Sequence, residues 1–478
     1  MMVAAGFASQ WKQRPAKQPN ILWIMADDHS RETIGCYGSR INSTPNIDRI
    51  GREGMRFQQA FCTNALCTPA RASILTGQYS NRNGIYTLDD RFAAGQETFA
   101  TPLQEAGYYT GVVGKLHVTD QPTGFNYWNI FPEQGTYFDP VMIDNGKIFQ
   151  RSGYVTDIVT DIALQFLESR PKNRPFCLLL HHKAPHDTWE FDAKHADLYQ
   201  EWIAEPQTLY DDYRTRSDAL SMAQNKIGER QTAFPAETAH VPAPDKKGAC
   251  YQIFIQRYLR CVASIDDNVG RVLSYLDRTG LTEDTIVVYT SDHGVFVGEH
   301  GLFDKRFMYE SAIHIPLLIR YPAEVHPSSV NNDFIVNIDF AETLLDYAGA
   351  HPLPGTQGRS IRPILAGTTP RDWRTELYYR YWMHRAHFNI PAHLGVRTED
   401  QKLIYFYGEP CGKKGALPPP SAPAWELYDL KNDPHELNNL YAEPASQAVV
   451  RNLKTRIRAL QRQYGDTGEC GEFDSLPL

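Results

Sequence analysis

Two pairs of residues that could bind a metal ion follow the most apolar runs of the chain. Asp27 and Asp28 come directly after the run 21–26, and Asp292 and His293 come directly after the run 286–291. Three carboxylates and one imidazole converge if these two runs are neighbouring strands. Oxygen-rich ligand sets of this kind suit calcium or magnesium better than zinc. Taken singly, each pair is more often a simple aspartate cap of a helix.

A cysteine that could act as a nucleophile stands just before a predicted helix. In the segment 65–77, ALCTPARASILTG, Cys67 comes where the backbone N–H groups of a helix start favour an anion, and Arg71 lies one turn further along. This placement makes Cys67 a candidate for covalent chemistry. The spacing alone leaves open the alternative of a buried or merely acidic thiol.

Three further side chains that could bind an anion or move a proton follow other strand-like runs. Lys115 and His117 end the segment 107–117, GYYTGVVGKLH, and His186 ends HHKAPH at 181–186. Ligands of open α/β sheets bind beyond the carboxyl ends of the strands, which makes these positions candidates. Read alone, Lys115 and His117 are ordinary surface residues at a strand end.

Alternating strand-like and helix-like segments would position these residues. Apolar runs predict strands at 20–25, 108–113, 175–181, 285–291 and 315–320. A helix is predicted after the cap Thr44, with Ile47, Ile50 and Met55 as its apolar stripe, and longer helices are predicted at 154–169 and 251–279. This pattern predicts an α/β fold with a mostly parallel sheet sandwiched by helices.

The length of 478 residues predicts more than one folding unit, because single cores stop growing at roughly 250 to 300 residues. We expect an N-terminal extension at 1–19, an α/β domain at 20–370, and a small antiparallel C-terminal subdomain at 371–478. Strand-like pieces at 376–382, 394–407 and 425–430 and a closing helix at 445–464 indicate the latter. The polar segment 187–248 is interpreted as a surface insertion that shapes substrate access.

Composition excludes some classes of function. The net charge of −8 argues against a nucleic-acid binder, and no apolar run approaches the roughly 18 to 20 residues of a membrane span. The eight cysteines include no CxxC pair, so most are expected to be buried thiols. A location in the bacterial periplasm or outside the cell is expected if a signal was trimmed from the N-terminus, and the cytoplasm otherwise.

Several of these motifs together resemble one enzyme family. The core Cys67-x-Pro69-x-Arg71, followed by Leu-Thr-Gly at 75–77, is similar to the maturation signature of the formylglycine-dependent sulfatases of the alkaline phosphatase superfamily. Segments 107–117 and 298–305 also match, departing only in Leu116, where an aromatic residue or Met is commoner. The tail motif WELYDLKNDPHE at 425–436 recurs in bacterial carbohydrate sulfatases. The resemblance implies an alkaline-phosphatase-like core that forms the catalytic domain, 20–370, with a small C-terminal subdomain, 371–478, that contributes to the substrate pocket.

The resemblance also implies a cofactor set and a maturation partner. A formylglycine-generating enzyme would oxidise Cys67 to 3-oxoalanine, whose hydrate attacks sulfur in a sulfated carbohydrate or related alcohol. A calcium ion, with Mg²⁺ or Mn²⁺ as alternatives, would be held by Asp27, Asp28, residue 67, Asp292 and His293.

Each remaining site residue receives a role by the same resemblance. Lys115 and Arg71 would steady the hydrated aldehyde, and His117 would accept its proton. His186 and Lys305 would bind the sulfate oxygens, with His186 protonating the departing alcohol.

Two alternative functions and one question of specificity stay open. The alternatives are a formylglycine-dependent phosphonate monoester or phosphodiester hydrolase, and a non-catalytic binder of sulfated glycans. Sugar specificity must come from outside the sulfate pocket. The candidates for sugar contact are Arg380, His384, His387, His393 and Arg397, although the same run is equally typical of an aromatic-packed strand. The sequence does not indicate an oligomeric state.

Overall fold

The computed structural model describes residues 18–467 and Cys470. Most of the expected N-terminal extension, residues 1–17, lies outside the described residues. At its end, the Gln18 side chain donates to the backbone oxygen of Ala348 at 2.7 Å. Within the described ranges, no helix is both long and apolar enough to cross a bilayer.

The strands belong to one large sheet, one smaller sheet and two short pairs. In chain order they are β1 (Asn20–Ala26), β2 (Met55–Phe57), β3 (Ala60–Phe61), β4 (Tyr109–Gly114), β5 (Tyr127–Ile130), β6 (Val141–Asp144), β7 (Lys147–Gln150), β8 (Phe176–His181), β9 (Thr285–Ser291), β10 (Phe296–Val297), β11 (Phe303–Asp304), β12 (Leu317–Arg320), β13 (Ser329–Asn331), β14 (Ile335–Val336), β15 (Glu376–Tyr381), β16 (His393–Thr398), β17 (Gln401–Phe406) and β18 (Ala424–Asp429).

The large sheet has ten strands in the order β13-β2-β12-β9-β1-β8-β4-β5-β6-β7. Its centre, β9-β1-β8-β4-β5, is parallel throughout. The register places Ile21 of β1 between Cys177 of β8 and Ile286 of β9. The carboxyl ends of β1, β4, β8 and β9 therefore meet at one edge of the sheet. The remaining predicted strand, now β12, runs antiparallel to β9.

Helices cover both faces of this sheet and also pack against the smaller sheet. They are α1 (Pro45–Arg52), α2 (Cys67–Thr76), α3 (Ser80–Asn83), α4 (Ala100–Glu105), α5 (Val155–Ser169), α6 (Asp218–Met222), α7 (Pro235–Thr238), α8 (Lys246–Arg278), α9 (Glu310–Ile313), α10 (Asp339–Ala348), α11 (Arg362–Leu365), α12 (Ala386–Asn389) and α13 (Gln447–Tyr464). Helix α8 packs against α1 and α5, whereas α10 packs against α2 and α4.

Close packing of helices on the central strands explains their apolar composition. All seven residues of β1 are buried, and Trp23 packs against Phe340 of α10 with ring centroids 5.0 Å apart. Phe166 of α5 lies against Gly111 of β4, where a Cβ atom would come within 2.5 Å of its ring. Burying a side chain of this size contributes about 1.5 to 3 kcal/mol. These contacts fix the strands whose ends carry the polar residues.

Four predictions about elements were wrong in detail. Helix α1 ends at Arg52, so Met55 lies in β2 rather than on the helix stripe. Between the helix and β2, Gly54 packs so tightly on β12 that a Cβ atom there would lie 2.2 Å from the backbone oxygen of Ile319. The piece 394–407 forms two antiparallel strands, β16 and β17, and the long helix α8 begins earlier than predicted, at Lys246. The segment 187–248 also buries side chains in the core, including Leu209 and Leu220.

The C-terminal part forms a four-stranded antiparallel sheet, β15-β16-β17-β18, against which α13 packs. A buried ion-pair network joins this sheet to the region around α9. Lys402 Nζ lies 2.6 Å from Glu436 Oε1 and 2.8 Å from Glu310 Oε1. A disulfide bond that was not predicted joins Cys411 to Cys470. The domain boundary at residue 370 stays a prediction.

Candidate active site

The acidic residues after β1 and β9 lie side by side because these strands are paired in register, with Ala26 opposite Ser291. The backbone N–H of Asp28 donates to Asp292 Oδ1 at 3.4 Å. His293 Nε2 lies 3.3 Å from Asp28 Oδ1 and 3.5 Å from Asp292 Oδ1. Two pairs that are distant in sequence thus form one buried cluster.

Cys67 is the first residue of α2 and faces this cluster. Its Sγ atom lies 3.5 Å from Asp27 Oδ1 and 3.4 Å from His293 Nε2. Every residue of α2 is buried, and the helix ends at Gly77, whose φ of 66° suits a residue without a side chain. The nucleophile candidate is therefore held by a helix that has no exposed face.

Arg71, one turn along α2, connects three strand ends. Its Nε donates to Asp292 Oδ2 at 2.9 Å, and one terminal nitrogen lies 3.7 Å from Asp27 Oδ2. The other terminal nitrogen donates to the backbone oxygen of Lys115, directly after β4. The Lys115 ammonium in turn pairs with Asp27. These contacts orient the carboxylates towards residue 67.

His117 lies on the other side of Cys67, where a φ of 62° turns the chain back after β4. Its Nδ1 is 3.4 Å from Oγ1 of Thr68, and its Nε2 is 3.4 Å from Nε2 of Gln134. The histidine thus bridges the start of α2 and the loop that contains Gln134.

His186 and Lys305 complete the ring of positive groups. His186 Nδ1 lies 2.5 Å from Asp187 Oδ1, and its Nε2 is 4.0 Å from Asp28 Oδ2. The ammonium of Lys305 lies 2.7 Å from both carboxylate oxygens of Asp28.

The other histidines near these segments are buried in the surrounding structure. His181 Nδ1 faces the Lys115 backbone oxygen at 3.1 Å, and His182 is fully buried. His300 Nδ1 pairs with Asp211 at 3.0 Å. The contacts of His181 and His300 serve the surrounding structure, and neither ring nitrogen of His182 has a hydrogen-bond partner among the described residues.

The electrostatic field of the site favours a negative group at residue 67. Burial alone would raise the pKa of the Cys67 thiol, but Lys115, Lys305 and His293 hold it well below its ordinary value. Burial and the neighbouring Asp27 raise the pKa of Asp292 to about 6, against the opposing effect of His293 and Arg71. The site therefore concentrates both carboxylates and cations in a volume without bulk water.

The same field keeps His186 charged. Burial and Lys115 lower the pKa of this imidazole, but the carboxylates of Asp187 and Asp28 outweigh them and raise it to about 10. A protonated imidazole beside the reacting centre can donate a proton to a leaving group.

The donor set fits a hard divalent cation. The ligand atoms of Asp27, Asp28, Cys67 and His293 are buried and lie within 4.8 Å of one another. Ligands on opposite sides of a calcium ion are about 5 Å apart, twice a bond length of 2.3 to 2.6 Å. Asp292, the fifth predicted ligand, is outside this group of four but contacts His293 at 3.5 Å.

Four of the five candidates for sugar contact are buried in the protein itself. Arg380 pairs with Asp466 at 2.6 Å and Arg397 pairs with Glu310 at 3.0 Å, while the rings of His384 and His393 bond to backbone oxygens. This burial does not support their direct contact with a sugar. These four residues instead fit the alternative interpretation, in which the run forms an aromatic-packed strand.

His387 is the exception among these candidates. Its side chain is exposed, and it lies close enough to Asp304, Lys305 and Arg306 for their charges to influence its pKa, which burial lowers.

Sequence reasoning missed three neighbours of the predicted site residues. Asp187 directly follows His186, so adjacency in sequence could have indicated it. Thr68 directly follows Cys67 and could have been noted for the same reason. Gln134 comes from a loop with no motif, and no sequence signal indicated its contact with His117.

The architecture and the site define a class of protein before any relative is considered. A candidate nucleophile at a helix start faces carboxylates at the ends of parallel strands, in a large sheet covered by helices. This is the alkaline-phosphatase-like fold. A phosphonate monoester hydrolase from Silicibacter pomeroyi shares that fold, with a TM-score of 0.74 at 21% identity over 94% of this chain and 96% of that one.

Closer matches identify the family. The sulfatase family model matches residues 19–350, and a model described as N-sulphoglucosamine sulphohydrolase, C-terminal, matches residues 298–463. An N-acetylglucosamine-6-O-sulfatase from Bacteroides thetaiotaomicron is 38% identical over 95% of this chain and 88% of that relative. The chain belongs to the sulfatase family and is a sulfuric ester hydrolase.

A solved structure is also similar over nearly the whole chain. It shows a protein in complex with its substrate D-glucosamine-2-N,6-O-disulfate, and it superposes on this chain with a TM-score of 0.88 at 37% identity. The match covers 95% of this chain and 99% of that one.

Proposed function

We propose that this sulfatase removes the 6-O-sulfate of a glucosamine residue, using formylglycine formed from Cys67 and a bound calcium ion. The observation that carries the proposal is the position of Cys67, buried against Asp27 and His293 inside a ring of cationic side chains. The substrate assignment is supported by two proteins that match nearly the whole chain: one is an N-acetylglucosamine-6-O-sulfatase, and the other has D-glucosamine-2-N,6-O-disulfate as its substrate.

The metal would be held by the acidic strand ends. Asp27, Asp28, Asp292 and His293 would supply its protein ligands, together with residue 67. A calcium ion at this position would withdraw charge from the sulfate oxygens and from the hydroxyl of residue 67. Mg²⁺ and Mn²⁺ are the alternatives, because mostly oxygen ligands suit these ions as well.

Formylglycine would supply a hydrated aldehyde in which one hydroxyl attacks sulfur and the other allows the sulfate to be released. Lys305 would bind the sulfate oxygens, and Lys115 and Arg71 would hold the carboxylates and residue 67 in place. His186 would give its Nε2 proton to the sugar oxygen as the S–O bond breaks. His117 would accept a proton from residue 67. Overall, one water is consumed, and the sugar alcohol and inorganic sulfate are produced.

The proposal also includes a maturation enzyme and a cellular location. A formylglycine-generating enzyme is the maturation partner, because a thiol lacks the second oxygen that turnover needs. A periplasmic or extracellular location is supported by the Cys411–Cys470 disulfide, since such bonds persist in oxidising compartments.

The test combines activity with peptide mass spectrometry. The purified protein is incubated with N-acetylglucosamine 6-O-sulfate, and the release of sulfate is measured. The mass of the peptide spanning residues 64–77 is determined by mass spectrometry. Sulfate release together with a formylglycine mass supports the proposal.

The alternative functions give different results. Faster hydrolysis of a phosphodiester than of a sulfate of the same phenol would establish the phosphodiesterase alternative. Binding of the sugar by protein with an unmodified thiol and no sulfate release would establish a glycan binder.

A further inference from the structure

The two ring nitrogens of His117 face different partners. Nδ1 lies 3.4 Å from Oγ1 of Thr68, and the ring is within hydrogen-bonding reach of the Cys67 side chain. Nε2 lies 3.4 Å from the side-chain amide of Gln134. His117 is 6% exposed, so bulk water does not compete freely for either nitrogen. The hydrogen-bond partner of Nε2 therefore influences whether Nδ1 carries the hydrogen or the lone pair.

A neutral imidazole carries one N–H and one lone pair, and its neighbours decide which nitrogen has which. Because Nε2 faces Gln134, Nδ1 is the ring nitrogen left to accept a proton from residue 67. To accept that proton, Nδ1 must hold the lone pair. Nε2 must then carry the hydrogen and needs an acceptor. The Thr68 hydroxyl can donate or accept and so selects neither tautomer. Among the described residues that contact the His117 ring, Gln134 is the one whose side chain can favour a single tautomer.

The amide of Gln134 has an unused acceptor at this position. Its Oε1 is buried and has no hydrogen-bond partner among the described residues, while its Nε2 faces the His117 ring. The oxygen and nitrogen of a side-chain amide are distinguished only by their hydrogen bonds. Rotation of the terminal amide by half a turn brings Oε1 opposite His117 Nε2.

We propose that Gln134 is a positioning residue that accepts the Nε2–H of His117 through Oε1 and so keeps Nδ1 unprotonated towards residue 67. The proposal rests on the proposed sulfatase chemistry. Gln134 touches neither substrate nor metal in this role. It acts through the histidine, as the aspartate of a serine-protease triad does when it fixes the histidine tautomer.

Two variants of the same length separate the acceptor from the shape of the side chain. Gln134→Met removes the acceptor and keeps the length, whereas Gln134→Glu keeps an oxygen acceptor. Gln134→Met is expected to lower kcat roughly 10- to 100-fold, the loss typical when a histidine-orienting partner is removed. Its KM is expected to stay near the wild-type value, and Gln134→Glu is expected to retain most of kcat.

Gln59→Met is the matched control. The Oε1 of Gln59 is also buried and without a hydrogen-bond partner among the residues described, but its backbone lies beside β3 and Ile335 rather than at His117. Wild-type kcat is expected in this variant. A kcat for Gln134→Met close to wild type would overturn the proposal. Equal losses in Gln134→Met and Gln134→Glu would also overturn it, because shape rather than the acceptor would then matter.

A second readout does not depend on turnover. In protein with ¹⁵N-labelled histidine, the His117 signal, assigned with His117→Gln, is expected to show the Nε2–H tautomer in the wild type and to lose that preference in Gln134→Met. An Nδ1–H tautomer in the wild type would contradict the proposal even if the enzyme were active. Absence of sulfate release from the wild type would instead contradict the proposed function, so the two failures are distinguishable.

Discussion

Replacing His186 with Gln tests the proton donor of the reaction. The Nδ1 of His186 is held by Asp187 at 2.5 Å, which leaves Nε2 facing the site. Glutamine keeps an N–H of similar reach but cannot transfer a proton. General acid catalysis typically contributes 10²- to 10⁴-fold, or about 3 to 5 kcal/mol of barrier. We expect a loss of this size in kcat/KM on glucosamine 6-O-sulfate.

The leaving group distinguishes proton donation from simple binding. A sugar alkoxide is a poor leaving group and needs the proton, whereas a nitrophenolate leaves without it. His186→Gln is therefore expected to lose less than about tenfold on a nitrophenyl sulfate, because little proton transfer is needed there. Parallel kcat/KM measurements on both substrates decide the point. Equal losses on the two substrates would refute the reasoning.

Two further variants sharpen this assay. His351→Gln is the control, since His351 is an exposed histidine paired with Glu105 at 2.8 Å, and wild-type rates are expected on both substrates. Asp187→Asn removes one of the carboxylates that, against burial, raise the pKa of His186 to about 10. The protonated form is present below this pKa and is lost as the pH rises through it. The alkaline decline of the sugar-sulfate rate should therefore move to lower pH in Asp187→Asn.

Four other outcomes are expected. Cys67→Ala should abolish sulfate release and leave the melting temperature near the wild-type value, because little buried volume is removed; measurable turnover in this variant would exclude residue 67 as the nucleophile. Chelation should inactivate the enzyme and added Ca²⁺ should restore it, whereas full activity in chelator would contradict the metal site. Replacing Cys411 and Cys470 by Ala should lower the free energy of unfolding by up to about 4 kcal/mol, from a loop of 59 residues, as measured by denaturant titration; an unchanged midpoint would contradict this. Lys402→Met should cost about 3 to 5 kcal/mol by the same assay, because it leaves the buried Glu436 carboxylate without its ammonium partner, whereas Glu310 keeps Arg397; a neutral effect would show that the network is not needed.

The central strands could be predicted from sequence because they are buried on both faces. A continuous apolar run such as β9 coincides with its prediction at 285–291. Helix α1 was less predictable at its end, since Met55 suits both a helix stripe and a strand. The tight approach of Gly54 to the Ile319 backbone, just after this helix, is a contact between distant segments. Local periodicity carries no information about such contacts.

The run 380–397 shows the same limit for function. Arginine, histidine and aromatic residues suit sugar binding and also suit a packed antiparallel sheet. The structure gives Arg380 a carboxylate partner in Asp466 and Arg397 one in Glu310. Both partners come from other parts of the chain, so the sequence pattern could not distinguish the two interpretations. The Cys411–Cys470 disulfide was missed for the same reason.

The sequence by itself determined the nucleophile candidate, the acidic strand ends and the family, because these depend on residue types within short segments. Only the tertiary structure decided which groups face each other. Asp28 bonds to Asp292 because β1 and β9 pair in register, and His117 meets Gln134 because a loop without any motif folds back over the site. Hydrogen-bond partners are set by the packing of distant segments, which no local pattern records.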